Sequence, residues 1–193
     1  MAPRMKIDFN IVLQKATDII DEKGLDELSL SLLAKELQIR PPSLYNHVNS
    51  LSQLKQALAI QGLKKLYQHM LHAAIGKSGD DAIRKISEAY VQFVRAHPGL
   101  YDATTRFPNP EDPELQHHQQ VIVDLVIQVL AFYDLQEEMA IHMVRGLRSI
   151  LHGFTSIEQM GGFGIPLDID QSFSILINTF IKGIHSIAYS SED

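Results

Sequence analysis

The twenty residues from Ser29 to Val48, SLSLLAKELQIRPPSLYNHV, constrain this chain more than any other stretch. Leu30, Leu33, Ala34 and Leu37 recur at helical spacing, and Leu44 and Val48 recur one turn apart after a break at Gln38 to Arg40. Two short amphipathic helices joined this tightly close their apolar stripes on each other, with Ile39 plugging the turn. Ser29 is a good N-cap for the first helix. Pro42 suits the first turn of the second, where a missing N–H leaves no bond unmade. Such a pair can place the outer face of its second helix in a groove of DNA.

With 193 residues, 45% apolar and 21% charged, the chain is expected to be globular, with one large core or two modest ones. No apolar run reaches the roughly 18 to 20 residues that span a bilayer, and the opening MAPRMKIDFN lacks the apolar region of a secretory signal. A cytoplasmic protein with no membrane partner is the expectation. The absence of cysteine excludes disulfides, thiolate metal sites and a cysteine nucleophile. A net charge of −6 looks wrong for a nucleic-acid binder until it is divided along the chain. Residues 1–65 carry nine Lys or Arg against seven Asp or Glu, whereas the remainder carries eight against sixteen. From Lys35 to Lys65 the cations Lys35, Arg40, Lys55, Lys64 and Lys65 face only Glu36, so a modest basic patch surrounds the second helix.

The punctuation along the rest of the chain is helical throughout. Asp8 caps a first helix that Gly24 ends, and Asn49 and Ser50 stop the second helix of the pair. A long helix, expected to bridge two domains, runs from Leu51 to the loop GKSGDD, with Gly62 a minor weakness. Helices follow at Ala82–Ala96, Leu100–Arg106, Leu115–Tyr133, Glu137–Gln159 and Ile169–Tyr189, separated by His97-Pro98-Gly99, the proline-rich FPNPEDPE and the glycine-rich GGFGIPLD. Alternating patterns never persist long enough for a sheet.

The pattern LSLSLLAKELQIRPPSLYNHVNSLSQL resembles the DNA-binding signature of the TetR family of bacterial transcriptional regulators. Further on, RAHPGLYDA, LRSILHGFTSIEQMGGFG and DQSFSILINTFIKGI resemble the C-terminal domain of the TetR subgroup named for a Trp-His-Gly motif, which reads Leu151, His152, Gly153 here. The resemblance implies an all-α fold: a three-helix helix-turn-helix domain over residues 1–50, extended by the connecting helix 51–75, then a helical ligand-binding and dimerisation domain over 76–193. Three positions depart from the family pattern. Gln38 replaces the turn glycine, and a non-glycine residue at positive φ costs on the order of 1 kcal/mol. Arg40 replaces the Ser or Thr cap. Leu51 replaces a phosphate-binding lysine, leaving Lys55 as the candidate substitute.

With Leu44 and Val48 turned inward, the spacing leaves Ser43, Asn46 and His47 on the opposite face, where Asn can bond adenine and Ser or His can meet base edges. Arg40 supplies charge at the groove mouth. The resemblance assigns Tyr45 to a phosphate, and Ser29 at a helix start adds a second backbone contact. Pro42 and Lys55 complete the DNA-binding set. The bland alternative is that Tyr45 and His47 only pack against neighbouring helices.

One recognition helix gives little specificity, so pairing of two copies is expected. Gly146, Ser149 and Gly153 share a face that lets another backbone approach, and Ile177, Ile181 and Ile184 form an apolar stripe. Both stripes can equally face the monomer core. The resemblance also implies a small-molecule effector, for which Tyr90, Phe93, Tyr101, Phe107, Met139, Met143 and Phe154 offer aromatic and thioether surface, although ordinary core explains each as well. No cofactor or metal is expected: His69 with His72, and His117 with His118, lack further ligands at metal spacing. Catalysis is not expected, since Ser156 has no nearby base and no glycine-rich loop follows a strand. The reading is a ligand-responsive, dimeric repressor that binds a palindromic duplex operator. The alternatives are a helical protein-interaction module without DNA binding and, more remotely, a helical enzyme.

Overall fold

The computed structural model describes residues 7–107 and 109–189, Tyr189 by its backbone alone. The opening MAPRMK and Pro108 of the proline-rich loop lie outside the described residues. Those described form α1 (Phe9–Lys23), α2 (Leu30–Glu36), α3 (Pro41–Leu44), α4 (Leu51–Ala74), α5 (Gly79–Ala96), α6 (Pro98–Arg106), α7 (Pro113–Leu130), α8 (Glu137–Gln159) and α9 (Ile169–Tyr189). Single 3-10 turns occupy Leu25–Glu27 and Ala131–Tyr133, and no strand occurs among the described residues. The fold is all-α, as the periodicity implies.

Two boundaries differ from the sequence reading. α5 starts at Gly79 rather than Ala82, because Asp80 and Asp81 favour the positive end of the helix they open. The second helix of the pair is α-helical only over Pro41–Leu44, and Tyr45 to His47 continue as a turn.

The chain forms two compact units, which it enters alternately. Residues 1–64 and 96–117 make the first, and residues 65–95 and 118–193 the second. The linear division after residue 75 therefore cuts differently from these units, which assign α6 to the first.

In the first unit, Asp8 Oδ1 accepts the Ile11 N–H at 2.9 Å and starts α1, whose Val12, Ala16, Ile19 and Ile20 are all buried at three- and four-residue intervals. Leu33, Leu44 and Val48 are each no more than 1% exposed, so the helix pair closes as its stripes require. Burying each such side chain stabilises by about 2 kcal/mol. α6 joins this unit by unusually close backbone contact with α1. A Cβ placed on Gly99 would lie 2.0 Å from the carbonyl oxygen of Ile20. Asp21 anchors the same junction, accepting the Leu100 N–H at 2.8 Å and pairing with His97 Nδ1 at 2.8 Å. Gly62 is not a weakness of α4 but a crossing point, since a Cβ there would meet the Leu100 carbonyl oxygen at 2.8 Å.

In the second unit, α5 buries Ile83, Ile86, Phe93 and Val94, and α8 buries Val144, Leu147, Leu151 and Phe154. Buried Ser87 and Thr155 return their hydroxyl protons to the carbonyls of Ile83 and Leu151, at 2.7 and 2.8 Å. Asp80 at the start of α5 accepts from Tyr133 Oη and meets His185 Nε2, both at 2.8 Å, which ties α5 to α9. Burial pushes the Asp80 carboxyl up, but the bonds from Tyr133 and His185, with the charges of His185 and Arg84, hold it below its ordinary value. Burial and the same carboxylate raise the Tyr133 phenol well above its ordinary range.

Candidate nucleic-acid interface

The positions nominated around α3 fall on the solvent side of the first unit. Ser43 and Asn46 are exposed, Tyr45 is 57% exposed and His47 is half-buried, while Leu44 and Val48 between them are buried. Local hydrogen bonds produce this arrangement. Val48 N–H reaches Leu44 O at 3.1 Å, but His47 N–H bonds Leu44 O at 2.9 Å and Asn46 N–H bonds Ser43 O at 3.3 Å, so the last turn tightens. Asn46 and His47 are thereby presented from a turn rather than from an extended helix.

Gln38 adopts φ +55°, the left-handed conformation that the family reserves for glycine, and releases the chain toward α3. Arg40 is the N-cap residue of α3 but makes no side-chain cap bond, and its guanidinium is exposed. Pro41 and Pro42 fill the opening positions without unsatisfied donors. Ser29 Oγ is exposed and accepts the Leu32 N–H at 3.2 Å, so its hydroxyl proton remains available to a phosphate. Behind the reading turn, Ser50 Oγ accepts the Gln53 N–H at 3.1 Å and Gln53 Oε1 accepts the Asn49 N–H at 3.0 Å. That reciprocal cap fixes where α4 begins.

Lys55 is half-buried, with its ammonium 5.0 Å from the centroid of the Phe107 ring. Sequence reading missed one cation here: Lys15 of α1 borders the same open groove as Gln38, Arg40 and Ser43. Its 25-residue separation from Arg40 hid the proximity.

Of the effector nominees, Tyr101 and Phe107 belong to the first unit, whereas Tyr90, Phe93, Met139, Met143 and Phe154 belong to the second. Tyr90, Phe93, Tyr101 and Phe154 are buried, Phe93 completely, and Met139 and Met143 are half-buried. A cleft of about 270 Å³ in the second unit is lined instead by α5 and α9, including Arg84, Glu88, Arg95, Phe173 and Asn178. None of the nominated residues lines it. At one end Arg95 binds Glu158 and Asp170, each at 2.7 Å, and these hydrogen bonds with burial working against them raise the already high basicity of the guanidinium.

The pairing nominees need a correction. Ile177, Ile181 and Ile184 are at most 2% exposed within the single chain, so α9 spends that stripe on its own core. Its outward side carries Ile175, Thr179 and Gly183. On α8, Ser149 is exposed and a Cβ on Gly153 would meet nothing within 4 Å, whereas one on Gly146 would lie 3.3 Å from Phe180 of the same chain. Among the described residues no three His, Asp or Glu side chains gather as a metal site. His69 Nδ1 instead donates to the Lys65 carbonyl at 2.9 Å. No helix among them is long and apolar enough to cross a membrane.

Residues 83–180 match the family described as "Tetracyclin repressor-like, C-terminal domain". This chain belongs to the TetR family of transcriptional regulators. It is 37% identical to the HTH-type transcriptional regulator YobS of Bacillus subtilis, with 95% of this chain and 96% of that protein covered. To the HTH-type transcriptional regulator Rv0681 of Mycobacterium tuberculosis it is 32% identical, with coverage of 93% and 82%. A solved TetR variant from Acinetobacter baumannii in complex with minocycline has the same fold, at TM-score 0.72 and 17% identity over 95% of this chain and 99% of that one. The TetR membership supports a DNA-binding transcriptional regulator and sets aside an enzymatic reading, because the relatives are transcriptional regulators.

Proposed function

We propose that this TetR-family regulator is a cytoplasmic repressor that binds a palindromic operator as a homodimer and is released by a small-molecule effector. The observation that carries the reading is the division of the α3 turn: Leu44 and Val48 lock it to the body while Ser43, Tyr45 and Asn46 stand exposed. Ser43, Asn46 and His47 are the base-facing set. Ser29, Arg40, Pro42, Tyr45 and Lys55 hold the backbone, with Lys15 as an added cation. Residues 1–50 with the helix 51–75 form the DNA-reading part, and residues 76–193 the effector and dimerisation part.

Pairing is assigned to Ser149 and Gly153 of α8 with the outward Ile175, Thr179 and Gly183 of α9, since the buried isoleucines of α9 are already used. Effector release requires a ligand that binds the two states of the dimer unequally. The test is a gel shift with DNA flanking the protein's own coding region, followed by footprinting. Two symmetric half-sites about 34 to 36 Å apart, or slightly wider, support the dimer. A single asymmetric half-site rejects it, and a duplex affinity insensitive to salt rejects DNA binding itself.

A further inference from the structure

We propose that the loop joining α8 to α9 anchors the homodimer, with Met160, Ile165 and Leu167 seated on a second copy of this chain. The proposal deepens the homodimer reading and rests on it. Met160, Ile165 and Leu167 are 77%, 73% and 72% exposed, and Ile157 and Ile175 on the flanking helices are exposed as well. A lone subunit seldom leaves so much large apolar surface in water within one stretch of chain.

The loop is held in place even though these side chains point into water. Gly161 takes φ +68°, and the N–H groups of Gly161 and Gly162 donate to the carbonyls of Glu158 and Ile157 at 2.9 and 2.8 Å, which closes the end of α8. Phe163 then folds back, its ring centroid 5.1 Å from that of Phe154, and Phe154 in turn meets Phe173 of α9 at 5.0 Å. One aromatic side chain thus pins the loop to its own subunit, while its three aliphatic neighbours are left uncovered. A surface fixed before association loses little entropy when it is covered.

Charge, shape and size select a second copy as the cover. From Ser149 to Leu167 the sole Asp, Glu, Lys or Arg is Glu158, which Arg95 holds at 2.7 Å, and from Gln171 to Ile181 there is none. Residues 66–193 carry eight Lys or Arg against sixteen Asp or Glu, so two such acidic bodies meet best through a surface without charge. The same surface has no cation to offer the phosphates of DNA. An interface between identical copies must also match itself, with knobs meeting hollows. Gly153 and Gly183 are hollows, since a Cβ on either would meet nothing within 4 Å. Ser149, Gly153 and Ile157 recur every four residues on one face of α8, which runs on to Met160 and the loop. The helix faces themselves offer mostly Ser, Thr and Gly, whereas a stable interface of about 800 Å² per partner draws most of its energy from a few large buried side chains. The loop supplies them.

The experiment is analytical ultracentrifugation of the full chain over a range of concentrations. The wild type is expected to be a dimer, and the double variant Ile165→Asp with Leu167→Asp should raise its dissociation constant at least about hundredfold with unchanged helical circular dichroism. Ile75→Asp, at an exposed apolar position outside the loop, should leave the dissociation constant unaltered. Because the chain has no cysteine, Leu167→Cys and Ile75→Cys each place a single thiol for a maleimide probe. On passing above the dissociation constant, labelling of Leu167→Cys should slow at least about tenfold, and Ile75→Cys should label at one rate throughout. Should the double variant lose its helical signal, the labelling rates decide. A wild type that stays monomeric overturns the anchor and the homodimer together. A dimeric wild type overturns the anchor alone if the double variant associates as tightly, if Ile75→Asp dissociates the dimer equally, or if Leu167→Cys labels as fast in the dimer as in the monomer.

Discussion

The ammonium of Lys55 sits over the ring of Phe107, 5.0 Å from its centroid. The sequence marks Lys55 for DNA and Phe107 for an effector cavity, yet within the first unit they are each other's partners. An aromatic face holds a cation in place without neutralising it, so Phe107 acts as a support for Lys55. Lys55→Gln should lower the salt slope of operator binding by about one unit. Phe107→Leu should weaken binding roughly two- to fivefold and leave the response to effector unchanged. An unaltered salt slope in Lys55→Gln removes Lys55 from the interface.

Tyr45 and Asn46 are neighbours with different expected roles. Tyr45→Phe deletes a hydroxyl assigned to a phosphate and should weaken all duplexes to a similar degree. Asn46→Ala should flatten discrimination among operator variants, by about 1 to 3 kcal/mol at the base pair it reads. Competition gel shifts with single-base operator variants distinguish the two. If both variants bind as the wild type does, the reading face lies elsewhere.

The α1–α6 junction tolerates no side chain at residue 99. In Gly99→Ala the new Cβ would press on the carbonyl of Ile20 and on the Asp21 amide nitrogen, 2.0 and 2.8 Å away. Both neighbours are helix backbone and cannot swing aside. A loss of about 2 kcal/mol or more is expected in urea unfolding, and a loss below about 0.5 kcal/mol would mean that the helices separate freely.

Gln38 offers the opposite opportunity. At φ +55° its Cβ strains the turn, and Gln38→Gly should stabilise the protein by about 0.5 to 1 kcal/mol after the greater freedom of glycine in the unfolded chain is set against the relief. Gln38→Ala keeps the Cβ and should give no gain. Thermal melts of the two variants side by side provide the check.

The carboxylate of Asp80 makes stability depend on acid. Its pKa in the folded chain lies below the ordinary 3.8, so its contribution is complete above that value and is lost as pH falls through the lower folded-state value. Tyr133→Phe removes one of the bonds that favour the ionised form. It should cost about 1 kcal/mol at neutral pH, and the gap from the wild type should narrow below about pH 4. Unfolding curves at several pH values would show it, and a gap independent of pH would mean that Tyr133 acts through packing alone.

Most of the helical framework was legible because helix signals are local. Asp8, Gly24, Ser29 and the Pro41-Pro42 pair act on backbone groups within four residues, and each bounds the element expected of it. The helix pair was legible for the same reason, since its two stripes are close in sequence and have only each other to meet. Where the reading slipped, the deciding force came from far along the chain or from competition between terms. The sequence leaves Asp80 and Asp81 open as loop or cap charges, and the structure puts them in the first turn of α5, where the helix start favours them.

The residues by themselves determined that this chain is all-helical, that Leu44 and Val48 turn inward, and that Ser43, Tyr45 and Asn46 are left exposed. Periodicity and capping decide these matters within a few residues. Only the tertiary structure decided which apolar stripe of α9 is spent on the core, because Ile177 and Ile175 are equally greasy and differ only in what packs above them. It likewise joined Lys55 to Phe107, divided the aromatic nominees between two units, and set Glu88 and Arg95 around one cleft. Those relations depend on approach between segments distant in sequence, where the partner, and not the residue, determines the role.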